Sequence, residues 1–257
     1  MRAATRLASR PSRSDVVYLA FVQHYDVMAQ STNGRGGRHG RLRRASYHHG
    51  DLPNALADAA TDMARAGGPD AVVLRAAARA AGVSAAAAYR HFADHDELLA
   101  VVRRRALDAL EAAMRQSLDS VTPMPDPAQE SVQRLRALGL AYIRFALTDP
   151  GLFRTAFCPP EKQRPDTAER MTAEGPYALL SGVLDELVEL GVLDPARRAG
   201  AEIPAWAAVH GLATLLLDGP LALISAEERA NAIERTSEFV LNGLQGPSVR
   251  TRSPRRY

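Results

Sequence analysis

The sequence predicts an all-α chain: an N-terminal three-helix helix-turn-helix domain followed by a C-terminal helical bundle. Three observations carry this. Apolar residues recur three and four positions apart over most of the 257 residues, the period of a helix with one buried face. Alanine, the strongest helix former, fills many of those positions. No segment alternates apolar and polar residues with period two, and no hairpin dipeptide separates two such runs. A hydrophobic fraction of 46% is enough for two modest domains to bury a core.

Residues 31–44 are rich in Gly, Ser, Asn and Arg, so residues 1–46 read as a disordered basic arm. Order begins near Asp51. Leu52, Leu56, Ala59, Ala60 and Met63 mark one buried helical face; Pro53 is tolerated in the first turn, and Gly67-Gly68-Pro69 ends the helix. A shorter helix carries Leu74, Ala77, Ala78 and Ala81 and stops at Gly82. Ser84 caps a third, on which Ala88 and Phe92 face inward. The step between them, Ala80-Ala81-Gly82-Val83-Ser84, is too short for antiparallel packing and suits two helices crossing steeply. Asp94, with Glu97 three residues on, forms a capping box. It opens a fourth helix with the inward stripe Leu98, Val102, Ala106, Ala109 and Ala113, running to about Leu118. The helix-turn-helix domain so defined spans 47–120.

Pro123, Pro125 and Pro127 mark the boundary to a second domain over 121–246. Its first helix carries Leu135, Leu138, Tyr142 and Phe145 on one side and Leu140, Ile143 and Leu147 on another. An element apolar nearly all round belongs in the middle of a bundle or against a cavity. Asp149-Pro150-Gly151 ends it. A short element with Leu152, Phe153 and Phe157 follows, then a helix from about Met171 to Leu190 closed by Gly191. Two further helices near 201–218 and 227–244 precede a basic disordered tail, 247–257.

Charge is unevenly placed. Residues 1–50 hold nine Arg against two Asp and residues 250–257 hold four Arg and no acid, while the body between them is net −8. Lys162 is the only lysine. Arginine-rich tails of this kind are either nucleic-acid arms or solvated ends. Cys158 is the only cysteine, which excludes an intrachain disulfide framework and fits a reducing cytoplasm. The apolar stretch 203–217 contains Pro204 and His210 and is too short to span a bilayer, so no membrane partner is expected. Enzyme signatures are missing: no Gly-rich phosphate loop, no His-Glu-x-x-His and no Gly-x-Ser-x-Gly elbow occur. Neither a cofactor nor a metal is implied, since the histidines do not fall at ligand spacing apart from His48-His49, which sit by the arm.

A helix-turn-helix sends its second helix into the major groove, so the exposed start of that helix meets base edges. Here those residues are Ser84, Ala85, Ala86 and Ala87. Alanine makes no hydrogen bond, though its methyl can contact the thymine methyl, so direct readout is sparse. Tyr89, Arg90 and His91 stand at the far end, where their polar tips can reach phosphate. Short alanine helices with glycine turns also occur in bundles that never meet DNA, and spacing alone does not separate the two.

The ordered stretches Tyr47-His48-His49-Gly50-Asp51-Leu52, Leu74-Arg75-Ala76-Ala77-Ala78, Gly82-Val83-Ser84 and Tyr89-Arg90-His91-Phe92 resemble the DNA-binding domain of the TetR family over about residues 47–110. The resemblance implies a homodimer on a near-palindromic double-stranded operator. A small effector entering the regulatory C-terminal domain, which also dimerises, would release it. It places Ser84, Ala85 and Ala86 against bases and Tyr89 and His91 against phosphate. One departure is His95, where the family usually keeps Lys or Arg. Between Asp51 and Ser120 eight Arg face ten acids, so this domain is net −2, whereas phosphate neutralisation drives much of DNA affinity. Arg41, Arg43 and Arg44 of the arm are candidates to supply charge in the minor groove; the alternative is a solvated tail.

Trp206, His210 and Gly211 form a Trp-x-x-x-His-Gly pattern that resembles one TetR C-terminal subgroup. Trp206 and His210, four apart, share a helical face. Candidate effector-binding residues are Tyr142, Phe145, Phe153, Tyr177, Trp206 and His210, each of which is otherwise ordinary core. They suit a small apolar or aromatic effector. A stripe of Ile233, Ser237, Val240, Leu241 and Leu244, with the 201–218 helix, is expected to form a four-helix dimer interface. Two other readings remain: a small-molecule-binding bundle with no specific operator, and a DNA-packaging protein indifferent to sequence.

Overall fold

Proline in the first turn and glycine past the last set the first helix, α1 (Leu52–Gly67), which buries Leu56, Ala57, Ala60 and Ala64. The computed structural model describes residues 51–159 and 175–246. The arm with Arg41, Arg43 and Arg44, the Tyr47-to-Gly50 stretch, the expected helix start near Met171 and the tail 247–257 lie outside the described residues. Gly68, at φ 77, donates its N–H to the Ala64 carbonyl and turns the chain.

The next two helices are short. In α2 (Leu74–Ala80) Leu74, Ala77 and Ala78 are buried. Gly82, at φ 72, supplies the left-handed residue that only glycine adopts freely, and its neighbour Val83 donates to the Ala78 carbonyl at 2.9 Å. α3 is a single turn, Ala85–Ala88, capped by the Ser84 hydroxyl, which accepts the Ala87 N–H. Ala88 and Phe92 face inward as the spacing predicts. Phe92 lies beyond α3, in a turn that continues through Phe92 N–H to Ala88 O at 3.0 Å.

α4 (His95–Asp119) is the long strut of the fold. Asp94 accepts the Glu97 N–H at 2.9 Å, and Glu97 reaches back to the Ala93 N–H at 2.7 Å, one residue before the position a standard capping box uses. Its buried stripe is Leu98, Val102, Ala106, Leu110 and Met114. Ala109 and Ala113, expected inside, are half-buried. A stripe repeating every four residues drifts around a 3.6-residue helix. It does so here because α4 packs on α1, α5, α6 and α7 along its length.

Beyond α4 come α5 (Pro127–Thr148), α6 (Pro150–Phe157), α7 (Gly175–Glu189), α8 (Glu202–Leu217) and α9 (Ala226–Gln245). Among the described residues all regular structure is helical. α5 runs through the middle, packed on α4, α6, α7, α8 and α9. Asp149-Pro150-Gly151 ends α5 and also begins α6 directly. Ser225 and Glu228 form a reciprocal capping box on α9. The apolar core is continuous from Leu56 in α1 to Leu244 in α9.

Part of the expected dimer stripe packs into the protein's own core. Leu241 and Leu244 are buried in their own bundle and Ile233 and Val240 pack against its core. The large apolar residues that α8 and α9 leave exposed are Ile203, Leu215 and Phe239, the last 71% exposed. An amphipathic helix covers the apolar face of its own bundle before it offers one to a partner.

Candidate DNA-contacting face and effector cavity

The two left-handed or capped positions, Gly82 and Ser84, fix where the short α3 points. Ala88, wholly buried, anchors it, while Ser84 and Ala86 are exposed and Ala85 is half-buried. Tyr89, Arg90, His91 and His95 are also exposed. The structure thus brings the predicted DNA residues of the described region onto α3 with its cap, the turn after it and, for His95, the start of α4. Two qualifications follow from geometry. The Ser84 oxygen already accepts the Ala87 N–H at 3.2 Å, which leaves its hydroxyl proton as the free donor. His95 Nδ1 stands 3.4 Å from Asp96 Oδ1, so an acid sits beside the imidazole that replaces the family's usual cation. Sequence reasoning assigned no role to Arg75 and Arg79 of α2, which are exposed and form no ion pair among the described residues.

A half-open cavity of about 970 Å³ lies between α4, α5, α6, α7, α8 and α9, at the upper end of small-molecule sites. Tyr142, Tyr177 and Trp206 line it, with Leu107, Leu138, Val209 and Val240. Of the other predicted residues, Phe145 is buried on α5 away from this lining, and Phe153 and His210 stand behind it. Phe157 lines the cavity, and sequence reasoning left it out of the site. Its spacing of four from Phe153 was the available signal, since it puts both rings on one side of α6.

From the lining inward, three polar atoms form a directed chain. Trp206 Nε1–H donates to the Tyr142 oxygen at 3.0 Å, and that oxygen lies 2.7 Å from His210 Nδ1. Burial pushes the His210 imidazole below its ordinary value. A neutral ring whose Nδ1 accepts lets the Tyr142 hydroxyl donate to it. Burial likewise raises the Tyr142 hydroxyl, against the Trp206 hydrogen bond that lowers it, so the phenol stays protonated. Phe153 meets Tyr142 edge-on with centroids 5.6 Å apart, and Phe157 meets His210 edge-on at 4.9 Å. Such pairs hold ring positions more firmly than area burial alone.

α6 joins this cluster to α1. At its C-terminal end Phe157 faces the cavity; at its N-terminal end Gly151 presses on the end of α1, where a Cβ would stand 2.3 Å from the carbonyl oxygens of both Ala64 and Arg65. Arg65 Nε pairs with Asp149 at 3.1 Å across the same joint. Arg154, midway, grips Asp218 at the end of α8 with two nitrogens. The paired carboxylate raises the Arg154 guanidinium, and the guanidinium lowers the Asp218 carboxyl.

Among the described residues no group of three His, Cys, Asp or Glu could hold a metal, and no helix is long and apolar enough to cross a membrane. A helix-turn-helix braced on a helical bundle with a half-open cavity has the architecture of a DNA-binding regulator. Residues 56–102 match the model of the bacterial regulatory proteins of the tetR family, and residues 135–239 match that of the tetracyclin repressor-like C-terminal domain. The chain belongs to the TetR family, whose members are DNA-binding transcription factors and not enzymes.

Solved structures agree in fold. A protein of unknown function from Rhodococcus sp. RHA1 is 26% identical, with a TM-score of 0.63 over 78% of this chain and 99% of that one. A TetR family transcription regulator from Marinobacter aquaeolei VT8 is 22% identical, with a TM-score of 0.51 over 73% of this chain and 94% of that one. RolR, in complex with resorcinol, is 18% identical, with a TM-score of 0.53 over 75% of this chain and 87% of that one. No curated protein matches the chain.

Proposed function

We propose that this protein is a homodimeric repressor that leaves a near-palindromic operator when a small apolar or aromatic effector fills the cavity. The observation that carries the proposal is α6, which touches the cavity through Phe157 and the end of α1 through Gly151. An effector that displaces Phe157 moves a rigid two-turn helix whose other end cannot yield without moving α1, and with it the helix-turn-helix. Ser84, Ala85 and Ala86 read bases, while Tyr89, Arg90, His91 and His95 meet phosphate. Arg41, Arg43 and Arg44 add charge from the arm. The Trp206, His210 and Gly211 pattern is the reason for assigning the chain to the Trp-x-x-x-His-Gly subgroup, and the Tyr142 to Trp206 hydrogen bond supports a structural and lining role for Trp206. The resorcinol in RolR is an aromatic ligand of the kind the ring-rich lining suits.

Sequencing the genomic fragments that the purified protein retains, then titrating the recovered site against random duplex at fixed salt, tests the operator. The specific site is expected to bind at least about 10³-fold more tightly. Equal affinity would leave a ligand-binding bundle without an operator. Trp206→Ala is expected to weaken effector release more than DNA binding, and equal loss of both would make Trp206 merely structural.

A further inference from the structure

The cavity is not uniformly apolar. Arg103 of α4 lines it one turn before Leu107, and its buried Nε has no hydrogen-bond partner among the described residues. Unlike Arg103, the other arginines there have a partner. Arg105 is paired with Asp58 and Asn54, Arg104 has a partner of its own, and Arg136 is held by Glu234 through a terminal nitrogen although its Nε, like that of Arg103, is unpartnered. Among the carboxylates, Glu97 and Asp94 cap the start of α4, Asp96 takes His95, and Asp108 is exposed. A guanidinium with an unmet donor beside aromatic and aliphatic walls is built for one kind of guest.

We propose that the effector is an amphipathic carboxylic acid, its carboxylate held by the Arg103 guanidinium and its apolar body lying along Leu107, Leu138, Tyr142, Phe157 and Trp206. This rests on the reading of the cavity as the effector site and adds the charge of the ligand. A carboxylate satisfies the buried Nε and a terminal nitrogen together, as parallel N–H···O bonds. A neutral guest of the same shape leaves the Nε unmet, which is the costly case for a buried donor.

Trp206 is the only tryptophan and lines the cavity, so its fluorescence reports occupancy directly. The intact protein is titrated with 6-phenylhexanoate and with 6-phenylhexan-1-ol, matched in length and apolar area. The acid is expected to bind about tenfold or more tightly than the alcohol. Arg103→Gln is expected to remove that preference while the alcohol binds as before, and Arg103→Lys to restore part of it. The wild-type comparison stands even if a variant folds poorly. Equal binding of acid and alcohol to the wild type, or a preference that survives Arg103→Gln, overturns the carboxylate and leaves the cavity reading intact. Binding of neither probe overturns both.

Discussion

At the scale of single residues, Gly151 and His210 make claims that can be measured. Gly151 is required by close approach and not by its backbone angles. An added methyl group would meet two backbone carbonyl oxygens of α1 at 2.3 Å, and backbone cannot rotate away as a flexible side chain can. Gly151→Ala is therefore expected to cost about 1–3 kcal/mol, read as a lower urea midpoint with an unchanged slope. An unchanged midpoint would mean that α6 and α1 are not held in this contact. His210 concerns pH. Its folded value lies below 6.5 because of burial, so the unfolded chain takes up the proton first. Stability is complete above about pH 6.5 and falls as pH drops from there toward the folded value. Asp218 and Glu202 are lowered from 3.8 and 4.5, so their contribution is lost only at more acid pH. Burial works against the Glu202 shift, but its backbone bond, Arg198 and Ser181 outweigh it. His210→Asn is expected to flatten the unfolding free energy between about pH 6.5 and 5 and to leave the acid limb in place. Parallel wild-type and variant profiles in that window would remove His210 as the cause.

At the scale of elements, the outer face of α8 and α9 is what remains for a partner. A shallow depression of about 340 Å³ lined by Ala208, Gly211, Leu215, Arg235 and Phe239 lies there, and nothing stands within 4 Å of a Cβ placed on Gly211. An exposed phenylalanine beside open backbone suits a second copy packing helix on helix. Phe239→Arg is expected to cost the dimer about 2 kcal/mol or more, shifting light scattering at micromolar concentration toward monomer; an unshifted mass would place the dimer elsewhere. The same elements show what the sequence made legible. Helix limits were readable because Pro53, Gly68, Gly82, Ser84 and Asp94 act on their own neighbours. The stripe of α4 was readable only for its first three positions, since which residues follow depends on α5, α6 and α7. The cavity was half legible. Tyr142, Tyr177 and Trp206 line it, but Phe145 and Phe157 are chemically alike in sequence, and only the docking of α6 on α5 decides which ring meets the space. Arg103 carried no sequence signal, because an arginine on an amphipathic helix is ordinarily solvated.

At the scale of the whole molecule, charge is the open account of how this protein holds DNA. The helix-turn-helix region from Asp51 to Ser120 carries eight Arg against ten acids, and several of those Arg are already committed. Arg65 pairs with Asp62 and Asp149, Arg105 with Asp58, and Arg115 with Glu111. Arg75, Arg79 and Arg90 stay exposed without an ion pair among the described residues, which is few for a duplex with a charge every ~1.7 Å. The nine Arg of residues 1–50 are the larger reserve, and Arg41, Arg43 and Arg44 lie nearest to α1 in sequence. Each phosphate neutralised releases counterion and adds about 0.9 to the slope of log affinity against log salt. Replacing those three arginines with alanine is expected to reduce the magnitude of that slope by about 2–3 on the operator and on random duplex alike, because a phosphate contact carries no sequence information. A loss confined to the operator would instead mean base or groove-shape readout by the arm, and an unchanged slope on both would make the arm a solvated tail.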